Sequence, residues 1–208
     1  MNMRSKTNVE TRQETQGFTL IEMMIVMSVI LILAAMSVPR MMIAISDISL
    51  RYSAMDFIGL VQSARIQAVR KNTFYTVQLG TLPSGDAAYY VDLPKAGNYV
   101  NGDPMLPTSA NLNVHLGPGS GAPNETAFLA GRNFVVDNTG SPPSFSARGL
   151  PCIATPASCP MVPGQGFVVF ISKAAVFGNV PWVAVVINPS GHTQLWTSDT
   201  NGNWVQRD

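Results

Sequence analysis

Charged side chains are scarce in this chain of 208 residues. Aspartate, glutamate, lysine and arginine make up 12% of it, about half of the share that is usual in soluble domains. The composition therefore favours an envelope or secreted protein over a cytosolic enzyme. The formal net charge is +1, so the chain as a whole offers nucleic acid no general electrostatic attraction.

Motifs of common catalytic and nucleotide-binding sites are also missing. There is no Gly-x-Ser-x-Gly elbow and no His-Glu-x-x-His pair, and the "GPGSG" of residues 117–121 lacks the lysine of a phosphate loop. The "DTNGN" of residues 199–203 has oxygen ligands at calcium-loop spacing, but Trp204 replaces the loop glycine. We expect a hairpin turn there, and no enzymatic activity, catalytic residue, cofactor or metal site in the chain.

Only two cysteines occur, Cys152 and Cys159, within "LPCIATPASCP". Two thiols with no histidine nearby fall short of a metal site. They can be two free thiols or a disulfide that closes the short loop between them. We expect the disulfide, which would imply an oxidising compartment.

A long apolar run follows the first seventeen residues. Residues 18–38 contain four polar side chains, Thr19, Glu22, Ser28 and Ser37. As a helix, at about 1.5 Å per residue, the run would span about 30 Å, the thickness of a bilayer core. It is longer than the apolar part of an ordinary cleaved signal peptide, so we predict a transmembrane helix over residues 18–39. Residues 1–17 are net positive, which predicts a cytoplasmic N-terminus and a body outside.

Glu22 is costly in such a run. A carboxylate at mid-membrane costs about 2.5–3.5 kcal/mol on insertion scales, and ionisable groups at that depth usually have a partner. No cation lies three or four residues away. The partner would be the lipid–water interface, another chain or a newly made amino terminus, while an acid that snorkels to the cytoplasmic face needs none.

The stretch "GFTLIE" (residues 17–22), the apolar helix after it and Pro39 together resemble the prepilin signature of type IV pilins and type II secretion pseudopilins. The resemblance implies cleavage after Gly17 by a prepilin peptidase and methyltransferase that also N-methylates Phe18. It implies that Glu22 pairs with the new amine of a neighbouring subunit, and that Pro39 kinks the helix. Other pilin or pseudopilin subunits and an inner-membrane assembly platform are the implied partners.

The helical pattern resumes after Pro39, over residues 40–72. Six apolar side chains recur at steps of four and three: Leu50, Ala54, Phe57, Val61, Ala64 and Ala68. This stripe could belong to a coiled coil, but we expect it to lie across a sheet of the same chain, and Asn72 is a candidate helix end. "ARIQAVRKN" and the strand after it resemble the pseudopilin H (GspH) and FimT/FimU-type minor pilins.

The remainder, residues 73–208, reads as a β-rich periplasmic domain. Eight runs predict strands, at 73–79, 87–93, 112–116, 133–137, 166–172, 182–188, 193–198 and 203–206. Turns are expected at 188–191 and 200–203, the second as a type I′ turn from its Asn-Gly pair. Residues 117–126 and 139–166 read as loops. The predicted fold is α+β and pilin-like, with the long helix packed on an antiparallel sheet.

DNA binding is disfavoured. From Thr73 onward five cations face seven acids. Some FimT-like members implicated in DNA uptake carry arginines after a glycine that corresponds to Gly191, whereas His192, Thr193 and Gln194 follow it here. The cations that would contact phosphate are absent.

Two functions remain open on the sequence. The first is a structural subunit, a minor pilin or pseudopilin that is anchored in the inner membrane and then assembled into a type IV pilus or a secretion pseudopilus. The second is a pilus-tip binding module, in which the 139–166 loop contacts DNA, a surface or a secreted substrate. The sequence does not distinguish a pilus from a pseudopilus.

Overall fold

A computed structural model describes residues 17–93, 95–107, 112–155 and 157–207. The chain divides into two compact units, Met1–Arg40 and Met41–Asp208. The predicted leader, residues 1–17, lies outside the described residues except for Gly17.

The helix α1 runs from Leu20 to Lys71 and covers 52 residues. Arg70 and Lys71 in its last turn suit the negative end of the helix dipole. Asn72 then adopts a left-handed conformation (φ 50°). Its N–H donates to the carbonyl of Val69 (3.3 Å), and the next N–H donates to the carbonyl of Ala68 (3.1 Å). These two bonds form a Schellman-type end, so the helix stops at Asn72 as predicted.

Eleven strands and one short helix follow α1 among the described residues. They are β1 (Tyr75–Thr81), β2 (Ala87–Val91), β3 (Met105–Pro107), β4 (Leu112–Leu116), α2 (Glu125–Ala130), β5 (Val135–Val136), β6 (Ser144–Phe145), β7 (Pro151–Cys152), β8 (Gln165–Lys173), β9 (Trp182–Ile187), β10 (Thr193–Ser198) and β11 (Trp204–Arg207). One sheet has the order β3-β2-β1-β6-β7 and the other β11-β10-β9-β8-β4. All neighbours pair antiparallel except β5, which pairs parallel with β8.

The main core lies between the second part of α1 and both sheets. The predicted helix stripe is fully buried, with Phe57 and Val61 each 1% exposed. Phe57 meets Tyr89 of β2 edge to face, with ring centroids 5.3 Å apart. From the other sheet, β8 and β9 contribute alternate side chains to the same cluster, including Val169 and Val185. The predicted α+β fold is thereby confirmed, with the helix packed on antiparallel sheets of its own chain.

A second apolar cluster covers the other face of the β8–β9 sheet. Phe128 of α2 packs there on Phe170, with ring centroids 5.9 Å apart. Three tryptophans surround the cluster, Trp182, Trp196 and Trp204. The guanidinium of Arg132 stacks over Phe128 (4.4 Å) and Trp196 (4.1 Å). Burial in this stack lowers the pKa of Arg132 below its usual range.

The structure corrects several sequence predictions. The loop predicted at 139–166 contains β6 and β7, which are too short to show a period of two. The loop predicted at 117–126 runs into α2, whose six residues are too few for a helical period. The carboxylate of Glu125 organises this region, because it accepts the N–H of Gly119 (2.6 Å) and the hydroxyl of Ser120 (3.0 Å).

The turn at 200–203 also differs from its prediction. A type I′ turn needs positive φ at both central residues, but among the described residues Gly202 (φ 80°) has it and Asn201 does not. The N–H of Gly202 donates to the carbonyl of Asp199 (3.1 Å). The Asn-Gly pair is therefore shifted by one position, and the glycine takes the left-handed place of a longer hairpin loop.

Candidate processing and assembly site

The predicted cleavage point lies just before the first turn of α1. Gly17 and Phe18 are non-helical, and Phe18 has 75% of its surface exposed. A Cβ added at Gly17 would meet no described atom within 4 Å. The described part of the chain therefore has no steric need for glycine at this position.

Thr19 is the residue that starts the helix. Its hydroxyl oxygen accepts a hydrogen bond from the backbone N–H of Glu22 (3.2 Å), and its carbonyl accepts one from the N–H of Met23 (3.2 Å). This is N-cap geometry, and Thr-x-x-Glu is the capping-box pattern. No role is predicted for Thr19 above, although this pattern in the sequence indicates one.

Only half of the capping box is formed. The side chain of Glu22 is exposed, and its carboxylate has no hydrogen-bond or ion-pair partner in the described part of the chain. The helix dipole stabilises an acid in the first turn by about 0.3–1 kcal/mol. That is less than the roughly 2.5–3.5 kcal/mol cost of a carboxylate at mid-membrane. The carboxylate therefore gains from an external cation wherever apolar groups surround this turn.

The rest of the N-terminal unit presents an apolar surface. Every residue from 17 to 38 is exposed, and by length and composition α1 could cross a membrane, with none of the qualifying window buried. The hydroxyl of Ser28 donates to the carbonyl of Met24 (2.7 Å), so this polar group is satisfied within the helix. Such a surface suits a lipid environment, where backbone and side-chain polar groups must find internal partners.

Pro39 lies inside α1, and the helix continues through it. A proline has no N–H, so the carbonyl of Ala35 loses its usual helical donor. The boundary between the two compact units follows directly, between Arg40 and Met41. The kink expected at Pro39 stays a prediction.

Cys152 and Cys159 form a disulfide, with their Cα atoms 5.3 Å apart. Cys152 is buried at the end of β7. Within the closed loop the N–H of Thr155 donates to the carbonyl of Ser158 (2.7 Å). The loop thus extends from a buried anchor to exposed residues at its far side.

Arg65 attaches α1 to two loops of the body. Its Nε donates to the carbonyl of Gly149 (2.9 Å), and its two terminal nitrogens donate to the carbonyls of Gly191 (2.9 Å) and Ser190 (3.1 Å). A Cβ on Gly191 would lie 2.8 Å from the Gly149 carbonyl oxygen. The turn that contains Ser190 and Gly191 therefore docks on the helix α1 through Arg65.

The calcium-like residues 199–203 form the turn between β10 and β11. The carboxylate of Asp199 accepts the backbone N–H of Asn203 (2.7 Å) and of Asn201 (2.9 Å). These bonds lower the pKa of Asp199, and the one from Asn203 has the largest effect. Among the described residues, no group of three or more acids, histidines or cysteines could hold a metal ion.

Comparison with known proteins bears on the N-terminal unit. Residues 12–38 match the family described as the prokaryotic N-terminal methylation motif. Neither the curated proteins nor the solved structures give a match to the chain. The matched residues include the cleavage point, the capping threonine and Glu22. The chain therefore carries a type IV pilin-like signal, which implies processing by a prepilin peptidase and assembly with other pilins.

Proposed function

We propose that this chain is the precursor of a minor pilin or pseudopilin, a structural subunit without enzymatic activity. Prepilin peptidase cuts between Gly17 and Phe18, Phe18 is N-methylated, and the mature subunit is stored in the inner membrane. An assembly platform then inserts it into a type IV pilus or a secretion pseudopilus. The observation that carries the proposal is Glu22, an acid without a partner among the described residues, at the start of an exposed apolar helix inside a methylation motif.

The charge chemistry supports this sequence of events. Cleavage creates an ammonium group at Phe18, one residue before the N-cap Thr19. That cation lies at the positive end of the helix dipole, where positive charge is disfavoured. The carboxylate of Glu22 on a neighbouring subunit neutralises it. Leaving one partner of a buried ion pair alone costs about 3–5 kcal/mol, so misaligned subunits are penalised and one axial register is selected.

The apolar surface supports two successive environments for the same helix. Residues 18–38 need apolar cover, because exposed apolar area costs about 25 cal/mol for each Å² in contact with water. Lipid provides the cover before assembly, and the equivalent helices of other subunits provide it afterwards. The net positive leader favours a cytoplasmic N-terminus, and the disulfide suits a periplasmic body.

The assembly step is tested with Glu22→Gln, which removes the charge and keeps the shape. Ser28→Ala is the matched control, because it lies on the same helix and its hydroxyl donates to the carbonyl of Met24 in that helix. Both variants should insert into the membrane normally. Glu22→Gln should lower incorporation into sheared filaments at least about tenfold, since tenfold corresponds to only about 1.4 kcal/mol. Equal incorporation of the two variants would refute the docking role of Glu22.

A second candidate function is a pilus-tip binding module. Because β6 and β7 belong to a sheet, only the part of the 139–166 loop between β7 and β8 remains free to bind a partner. That part exposes Met161 (42%) and Val162 (44%) beside the disulfide. Serine at both positions should abolish surface attachment or substrate secretion while assembly stays normal. Unchanged attachment and secretion would remove this candidate.

A further inference from the structure

We propose that the tip of the β8–β9 hairpin, residues 174–181, touches the lipid surface while the subunit is stored in the membrane. The proposal rests on the membrane anchoring proposed above. The tip residues are "AAVFGNVP", which include no charged side chain. Two of its apolar residues are largely exposed, Phe177 by 64% and Val180 by 43%.

Phe177 occupies a position that suits other residues better. The N–H groups of Val176 and Asn179 each donate to the other's carbonyl (2.9 and 3.1 Å), which leaves a loop of two residues. Both have positive φ, 49° at Phe177 and 80° at Gly178. This is a type I′ turn, for which Asn-Gly is preferred. A bulky residue with positive φ is strained.

An exposed aromatic residue in a strained conformation is expected where its ring contacts something other than the protein's own fold. The turn itself gains nothing from phenylalanine, because the ring is exposed and does not pack in either apolar cluster of the described residues. Strain of this kind persists where another requirement outweighs it. An aromatic ring on an uncharged tip is suited to the boundary between headgroups and acyl chains.

The direction of the hairpin favours lipid as the partner. At one end of the body, Arg65 contacts the turn after β9. At the opposite end, Nζ of Lys173, the last residue of β8, donates to the hydroxyl of Ser49 (3.0 Å). The hairpin tip therefore extends toward the start of the second unit, at Met41, which follows directly on the apolar segment in the chain.

The lengths of the two elements agree with this direction. Phe177 lies four residues beyond Lys173, a reach of at most about 13 Å in extended chain. Between Ser49 and Met41 the helix rises about 12 Å, at 1.5 Å per residue. A hairpin that runs along the helix can thus reach at most about the level of Met41, and residues 178–181 share a concavity with Asp47 and Arg51 of the same helix.

The test uses the full chain in vesicles of phosphatidylethanolamine and phosphatidylglycerol. Both native cysteines are in the disulfide, and no free cysteine occurs among the described residues, so a nitroxide can be attached to one new cysteine. Phe177→Cys places it at the tip. Ile66→Cys is the matched control, since Ile66 is 63% exposed and lies about 25 Å along the helix from Ser49. Ile30→Cys reports on the membrane segment.

For each labelled chain, the collision rate of the nitroxide with oxygen, which concentrates in lipid, is divided by its collision rate with a water-soluble nickel chelate. The oxygen-to-nickel ratio for Phe177→Cys should exceed that for Ile66→Cys at least about threefold. Equal ratios, with a lipid-buried label on Ile30→Cys, overturn the tip contact and leave the membrane anchor intact. A water-exposed label on Ile30→Cys overturns the anchor itself and the tip contact with it. Shielding of the tip label from both probes indicates a protein contact and also overturns the proposal.

A second variant separates the aromatic ring from the fold of the turn. Phe177→Asn restores the favoured Asn-Gly pair, so the thermal midpoint should rise or stay unchanged. With the nitroxide on Val180→Cys, this substitution should lower the oxygen-to-nickel ratio about threefold, to the control level. An unchanged ratio would show that Phe177 makes no contact with lipid.

Discussion

Replacement of Arg65 by alanine should destabilise the second unit more than any other single surface change on α1. The substitution removes three hydrogen bonds to carbonyls of two separate loops. A hydrogen bond to a charged group contributes about 1.5–3 kcal/mol when buried. Arg65 is only half-buried, so water replaces part of that contribution. We expect a total loss of about 2–3 kcal/mol in the free energy of unfolding.

The assay is urea unfolding of the full chain in non-ionic detergent, followed by tryptophan fluorescence. All three tryptophans belong to the second unit, so the signal reports on the part that Arg65 holds together. Arg70→Ala is the matched control, because Arg70 is exposed. It should lose at most about 1 kcal/mol, the contribution of a cation near a helix C-terminus. Arg65→Lys should fall between the two, since lysine keeps the charge without the planar fork.

The outcome that refutes this reasoning is equal stability of Arg65→Ala and Arg70→Ala, within about 0.5 kcal/mol. In that case apolar packing alone would hold α1 on the sheets, and the three hydrogen bonds would contribute nothing beyond those to water. If the slope of the unfolding free energy against urea concentration changed while the urea midpoint stayed the same, the substitution would have altered the unfolded state instead.

Three further predictions concern the body. Serine at both Cys152 and Cys159 should cost about 2.5 kcal/mol from lost loop-closure entropy, and thermal melts that match the parent chain would contradict this. The lowered pKa of Asp199 means that its contribution is present above the usual value of 3.8 and is lost as pH falls through the folded-state pKa. Acidification from about pH 5 to pH 2 should therefore lower the thermal midpoint more in the parent than in Asp199→Asn, and equal shifts would contradict the role of the turn. Ala64→Leu should cost about 1–3 kcal/mol by overpacking, because Ala64 is fully buried, and an unchanged urea midpoint would show that the helix can move off the sheets.

The long elements of the fold could be predicted because their sequence patterns extend over many residues. The stripe from Leu50 to Ala68 repeats often enough to show a helical period, and every member is buried. The strands β8 to β10 are six residues or longer and were predicted to within one residue at each end. The helix end at Asn72 could be predicted from local sequence. Arg70 and Lys71 stand in the last turn, and asparagine, which tolerates the left-handed conformation, follows them.

Short and non-local features left no such signal. The two-residue strands β6 and β7 exist because β1 lies beside β6, and nothing in their own residues requires a strand. The role of Arg65 depends on loops 84 and 126 residues away in the chain. The turn at 200–203 failed for a different reason, because the hydrogen bonds of Asp199 move the left-handed position onto Gly202 alone.

At the candidate site, the sequence predicts which residues are involved, and the structure shows their local contacts. The motif identified Gly17, Phe18 and Glu22, and the structure adds the cap at Thr19 and the unpaired state of the Glu22 carboxylate in the described chain. The partner of that carboxylate belongs to another molecule in this account. For that reason neither the sequence nor the isolated chain can contain it.

Mass spectrometry of the mature chain shows whether the leader is removed after Gly17 and whether Phe18 is methylated. The protein is co-expressed with a prepilin peptidase and recovered from membranes. Gly17→Val is the control that the peptidase should not cut, and a Cβ added at that position meets no described atom within 4 Å, so the fold should be unchanged. We predict a chain that begins at Phe18 and carries one additional methyl group on its amine, while the control keeps residues 1–17. A recovered chain that still begins at Met1, or that begins after Ala35, would contradict this prediction.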